Sequence, residues 1–432
     1  MKVGPMIAFP RVLAAGAIAA ILLLVAGCGD GPTARDGDAA DTTDGEGTSD
    51  PTAGAPQGVT ANEIRIGSFG PVTGPASFIG TAARDGMALA FEEINAAGGV
   101  NGRELNLVFQ GAEEPADSVS TAIKLVEQDG VYALVLGSGS TGAAAVADYV
   151  REKEIPTYNI VGATPVIREP FAGNVFHGVA PPAAWAARAT AEMIAEAESG
   201  PSRLAVLSGT FEYADATRDA VLPELEEQGL EVVVDLTFDL GDDDFTSQIT
   251  QIEGSGAEAV LQITHPLEGQ RFIRQARSLG VEVPIFVDQA AVTFELLAAE
   301  DAVEGATGLL IIPYFFGSDA EAMQEFEARF EERYPDAPPL RPNYIDVIGY
   351  GDGYVLAKVI EEAGDDLSWE NLISVWKQQT DVVPSQLGGV DVIFPESFSD
   401  TDHQGNNQVG VMQVQDGQWV QIDTITIERD AG

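Results

Sequence analysis

From about residue 60 onward, short apolar runs alternate with longer stretches whose apolar residues recur at helical spacing. Runs at 64–67, 105–109, 131–136 and 156–161 read as strands, and the stretches 80–95, 116–128 and 141–153 between them read as helices. A second series starts with a helix over 182–198. It continues through strands at 204–207, 232–236, 260–263 and 285–288, spaced by helices near 213–228, 244–253 and 267–279. Strands alternating with helices imply βαβ units and a parallel sheet. Two such series predict an α/β protein of two doubly wound lobes, with ligand chemistry at the carboxyl ends of the strands. Later helices, near 320–334, 344–362 and 369–379, bring no new sheet and are expected to pack on the earlier strands. Residues 408–423 read as a hairpin turning at Asp416-Gly417.

The first 60 residues follow a different pattern. Lys2 and Arg11 precede an uncharged apolar run over 12–27, which ends in Leu22-Leu23-Leu24-Val25-Ala26-Gly27-Cys28. A basic start, a short apolar core and small residues before a cut site describe an export signal. The run is shorter than the roughly 20 residues that cross a bilayer. Small residues before a single cysteine resemble the lipobox of bacterial lipoproteins, which implies cleavage before Cys28 and a lipid on it; an uncleaved anchor helix is the other reading. Cys28 is the only cysteine, so no internal disulfide or multi-thiolate metal site is possible. Residues 29–58 hold no aromatic side chain and no aliphatic one larger than Ala, so they are expected to form a solvated acidic tether. The formal charge of −46 excludes nucleic acid as a natural partner and opposes adsorption to an anionic membrane.

Specific motifs follow the first strand and first helix. Gly70-Pro71-Val72-Thr73-Gly74-Pro75 and Phe91-Glu92-Glu93-Ile94-Asn95-Ala96-Ala97-Gly98-Gly99-Val100-Asn101-Gly102-Arg103 resemble the leucine/isoleucine/valine-binding family of type I periplasmic binding proteins. Gly162-Ala163-Thr164-Pro165, Asp244-Phe245-Thr246 and Gln413-Val414-Gln415-Asp416-Gly417 continue the resemblance, which spans about residues 62–424. It implies two lobes joined by three crossings: lobe one over 60–180 plus 312–394, and lobe two over 181–311 plus 395–428. It also implies a ligand held in the cleft between them, without a cofactor or metal, and delivery to an ABC permease. The chain is expected to work as a monomer outside the cytoplasm, tethered by its lipid.

The loop Gly137-Ser138-Gly139-Ser140-Thr141-Gly142 fits the dinucleotide fingerprint G-x-G-x-x-G, but the acidic residue expected after the next strand is missing from Tyr158-Asn159-Ile160-Val161. What remains is a helix start whose N–H groups, with the Ser140 and Thr141 hydroxyls, favour an anion; plain helix capping is the alternative. The resemblance implies that this loop and Gly162-Ala163-Thr164 contact the carboxylate end of the ligand, and that Phe78 packs against it. Tyr213 and His265 follow strands of the second series and are expected to face the cleft from the other side. Family members that bind α-amino acids place an ammonium-holding Glu where this chain has Ala290, with Asp288 two residues earlier. An amide or a small carboxylate is therefore as open as an amino acid. The acidic run Asp242-Asp243-Asp244 lacks the alternating ligands of a calcium loop and reads as a helix start.

A secreted hydrolase is disfavoured. Only His177, His265 and His403 are available as imidazole bases, and neither G-x-S-x-G nor H-E-x-x-H occurs. A ligand-sensing module of the same fold, without a transport role, remains the alternative to a solute-binding lipoprotein.

Overall fold

The computed structural model describes residues 56–338 and 341–429, so Cys28, the signal and most of the tether lie outside the described residues. The first sheet comprises β1 (Glu63–Gly70), β2 (Glu104–Gly111), β3 (Ala133–Leu136), β4 (Thr157–Asn159) and β5 (Val175–His177). Its order is β2-β1-β3-β4-β5, all parallel. The second comprises β6 (Arg203–Gly209), β7 (Glu231–Phe238), β8 (Ala259–Ile263), β9 (Ile285–Val287), β10 (Thr307–Leu310), β11 (Gln408–Gln415) and β12 (Gln418–Thr426). Its order is β12-β11-β10-β9-β8-β6-β7.

The strand β7 and its neighbours through to β10 run parallel, while β11 and β12 are antiparallel. The second lobe is thus a mixed sheet rather than a purely parallel one. The β11–β12 turn has Asp416 and Gly417 both at positive φ, as a two-residue hairpin turn requires. Both sheets repeat one winding: the second strand lies outside the first, and the third lies on its other side. The topological switch points fall between β1 and β3, and between β6 and β8. The inner strands β3 and β8 are buried along their whole length, because helices cover both faces.

The late helices do pack back. Tyr344–Ala363 lies along Ser77–Ala96 at backbone contact distance. A Cβ on Gly86 would come within 2.0 Å of the Asp346 carbonyl, and one on Gly349 within 2.6 Å of the Ala83 carbonyl. Only glycine admits that approach.

The chain passes between the sheets after β5, after β10 and before β11. The first and last crossings run side by side. The His177 N–H donates to the His403 carbonyl at 2.9 Å, the Gly405 N–H to the His177 carbonyl at 2.8 Å, and Gln404 Nε2 to the Gly178 carbonyl at 2.6 Å. Two buried carboxyl groups, Asp352 and Glu396, face each other against this pair of segments. A Cβ on Gly178 would meet Asp352 Oδ2 at 2.1 Å, and one on Gly405 would meet Glu396 Oε2 at 2.5 Å. Tyr158 donates its hydroxyl proton to Glu396. Burial pushes the Glu396 carboxyl up to about 8; burial and the facing Glu396 hold Asp352 well above its ordinary range.

Candidate functional site

Gly139 opens the helix Gly139–Lys153 with φ +68°, which turns the chain sharply out of β3. The N-cap residue is Ser138, and its side chain does not cap the helix. The first-turn N–H groups therefore lack intrahelical partners and point outward with the positive end of the helix dipole. Ser140 Oγ accepts from the Ala163 N–H at 3.0 Å, which leaves its own proton free to donate.

This helix start opens onto two connected chambers between the lobes. The inner one has a volume of about 50 Å³, the outer about 470 Å³, and both are lined by Ile79, Gly139, Ser140, Tyr213 and His265. Phe78 and Tyr344 close the inner chamber, while Thr141 and Phe211 border the outer one. The lobes touch across the gap: the Phe78 and His265 rings meet edge to face at 5.5 Å. His265 also packs on Phe211 at 4.3 Å. Burial pushes the His265 imidazole down to about 4, so it is neutral at pH 7.

Behind the lobe-two wall, Tyr213 donates its hydroxyl proton to Asp288 Oδ2. The Thr264 N–H donates to Asp288 Oδ1 and the Ala290 N–H to Oδ2, each at 3.3 Å. Burial raises the Asp288 carboxyl to about 7, and these three hydrogen bonds oppose the rise.

Among the expected site residues, Phe78, Ser140, Thr141, Tyr213 and His265 come together at the chambers. Gly162, Ala163, Thr164 and Asp288 line neither. The Gly162 N–H is taken by Asn159 Oδ1 at 3.0 Å and the Ala163 N–H by Ser140. The Thr164 hydroxyl donates across the gap to Glu212 Oε1 at 2.6 Å, and it accepts from the Val166 N–H. Ala290 does line the inner chamber and brings no charge to it. Sequence reasoning missed Tyr344, Ile345 and Ile348, which form the chamber's apolar floor from the start of the helix Tyr344–Ala363. The one available signal was Asn343, an N-cap whose side chain accepts from the Ile345 and Asp346 N–H groups. Among the described residues, no group of three or more His, Cys, Asp or Glu side chains is placed to hold a metal ion.

A family model described as periplasmic binding protein matches residues 63–418. The chain is 26% identical over 379 residues to Leu/Ile/Val-binding protein homolog 7 of Brucella abortus, covering 83% of this chain and 91% of that one. It is 28% identical over 310 residues to the leucine-, isoleucine-, valine-, threonine- and alanine-binding protein of Pseudomonas aeruginosa, covering 71% and 80%. Among solved structures, a leucine-binding protein of Thermotoga maritima superposes with a TM-score of 0.70 at 22% identity, covering 84% of this chain and 99% of that one. A solute-binding protein from R. palustris in complex with benzoate superposes with a TM-score of 0.73 at 21% identity, covering 86% and 98%. Both structures share the two-lobed α/β fold.

Proposed function

This chain belongs to the periplasmic binding protein family, and on that premise we propose that it captures a small organic carboxylate in the cleft and delivers it to an ABC importer. The observation that carries the reading is the uncapped helix start at Gly139, which opens onto a chamber walled by both lobes. A carboxylate there receives N–H groups and the Ser140 hydroxyl in a water-poor space, where charge-assisted hydrogen bonds are strong. The body of the ligand lies among Phe78, Ile79, Ile345 and Ile348.

An α-amino acid suits the site less well. A buried ammonium needs a carboxylate partner. Ala290 supplies none, and Asp288 already accepts three hydrogen bonds behind Tyr213. Benzoate, the ligand of the R. palustris structure, has the features this cleft asks for: one anionic end and an apolar body. Export by the amino-terminal signal and a lipid on Cys28 would hold the protein at the outer face of the membrane, beside its permease. No helix among the described residues is long and apolar enough to cross a membrane.

Calorimetry on purified protein tests the reading. Small carboxylates should bind, and their primary amides should bind at least about tenfold more weakly, since a charge-assisted bond contributes roughly 1.5–3 kcal/mol. Ser140→Ala should weaken the acids by about tenfold for the same reason. Equal affinity for acid and amide, or no effect of Ser140→Ala, contradicts the anion pole.

A further inference from the structure

The Gly162–Ala163 peptide lines neither chamber, yet it is bonded to Ser140, which lines both. Its N–H donates to Ser140 Oγ at 3.0 Å. Its carbonyl accepts from Asn159 Nδ2 at 2.6 Å and from Arg168 Nη2 at 3.3 Å. A Cβ on Gly162 would come within 2.8 Å of Ala143 Cβ, so the peptide is pressed on the Gly139–Lys153 helix with no room for a side chain. The same guanidinium donates to the carbonyl of Ala180, a residue of the inner chamber, at 3.1 Å, and through Nη1 to Gln404 Oε1 at 2.7 Å. All three of its partners are neutral oxygens. Asp402, the acid whose charge reaches Arg168, is bonded instead to Arg429 at 2.7 Å. Burial lowers Arg168 to about 9, so it is charged at pH 7, and among the described residues no carboxylate is bonded to it.

A peptide whose carbonyl accepts from a cation becomes a stronger donor at its N–H, and a hydroxyl that accepts from a stronger donor itself donates more strongly. Arg168, the Gly162–Ala163 peptide and Ser140 are joined in that order, and the free proton of Ser140 is the end of the chain. We propose that Arg168 is a specificity-determining positioning residue: acting through the Gly162–Ala163 peptide, it strengthens the Ser140 hydroxyl as a donor to the ligand carboxylate, and so widens the preference for acids over their neutral amides. The proposal rests on the reading that the carboxylate sits at the Gly139 helix start. An amide oxygen, with no full charge, draws less on a donor backed by a cation.

Calorimetry at pH 7 with benzoate and benzamide reads this preference, since the two match in shape and differ in charge. Arg168→Gln removes the cation and keeps a donor, and should lower the benzoate-to-benzamide affinity ratio by about threefold to tenfold. Arg168→Lys restores the charge and should recover most of the ratio. Ser140→Ala removes the last link, so in that background Arg168→Gln should leave the ratio unchanged. A merely structural clamp at Arg168 would weaken both ligands alike. An unchanged ratio in Arg168→Gln, with wild-type protein still preferring benzoate, overturns the proposal and leaves the anion pole standing. A fall of equal size with and without Ser140 marks a charge acting through space and overturns the relay. Wild-type protein with no preference for benzoate over benzamide overturns the carboxylate reading, and this inference with it. Should Arg168→Gln fail to fold, the Ala163 amide proton of wild-type protein decides: benzoate should move its NMR resonance downfield and benzamide should not, and a resonance that benzoate leaves in place overturns the relay.

Discussion

Thr164 is fully buried in lobe one, yet its hydroxyl is spent on Glu212, a residue of lobe two. Its contribution to binding therefore runs through closure of the lobes. Thr164→Ala should weaken a bound carboxylate by about tenfold or more, the ordinary worth of one hydrogen bond to a charged partner. Glu212→Ala should do the same, and the double variant should be no weaker than either single one, because both remove one bond. Additive losses in calorimetry would show that Thr164 touches the ligand instead. The same residues mark what sequence conveys at this scale. Gly139, Ser140 and Thr141 were legible because a helix start after a buried strand exposes its N–H groups whatever surrounds it. Gly162 and Ala163 were not, because their N–H groups are consumed by Asn159 and Ser140, and only the folded chain brings those acceptors to them.

At the scale of elements, the alternation of strands and helices was readable wherever a run was long enough to show its period. Both β5 and β10 escaped, although β4 and β9, as short and as fully buried, were read as strands. So short a run has no period, and its strand character comes from the neighbours it pairs with. The helix Tyr344–Ala363 was readable as a helix, but not as the floor of the site, because its docking depends on the glycine contacts with Ser77–Ala96. The hinge shows a further property that no local pattern reveals. Asp352 and Glu396 sit far apart in sequence and meet only where the crossings run together. Their folded-state pKa values lie above the ordinary carboxyl range, so the folded protein holds protons there that the unfolded chain releases. That stability is complete below the ordinary carboxyl pKa and is lost as pH rises through about 8. Thermal melts from pH 5 to pH 9 should show a falling midpoint on the alkaline side. Glu396→Gln should flatten that limb; an equally steep limb in the variant would remove the pair as its cause.

At the scale of the whole molecule, two sheets of the same winding face each other through their switch points, and the paired crossings hold them in register. The ring contact between Phe78 and His265 and the Thr164–Glu212 bond both span the gap, so this structure has its lobes drawn together. A ligand that bridges the Gly139 helix start and Tyr213 adds contacts on both sides and favours the closed arrangement over any open one. The most direct measurement is the electron density of a carboxylate-bound crystal. The account predicts the carboxylate within hydrogen-bond distance of the Ser140 or Thr141 N–H groups, and the ligand body between Phe78 and His265. A ligand lodged elsewhere, or one whose anionic end points to Tyr213 and away from the Gly139 helix, would contradict it.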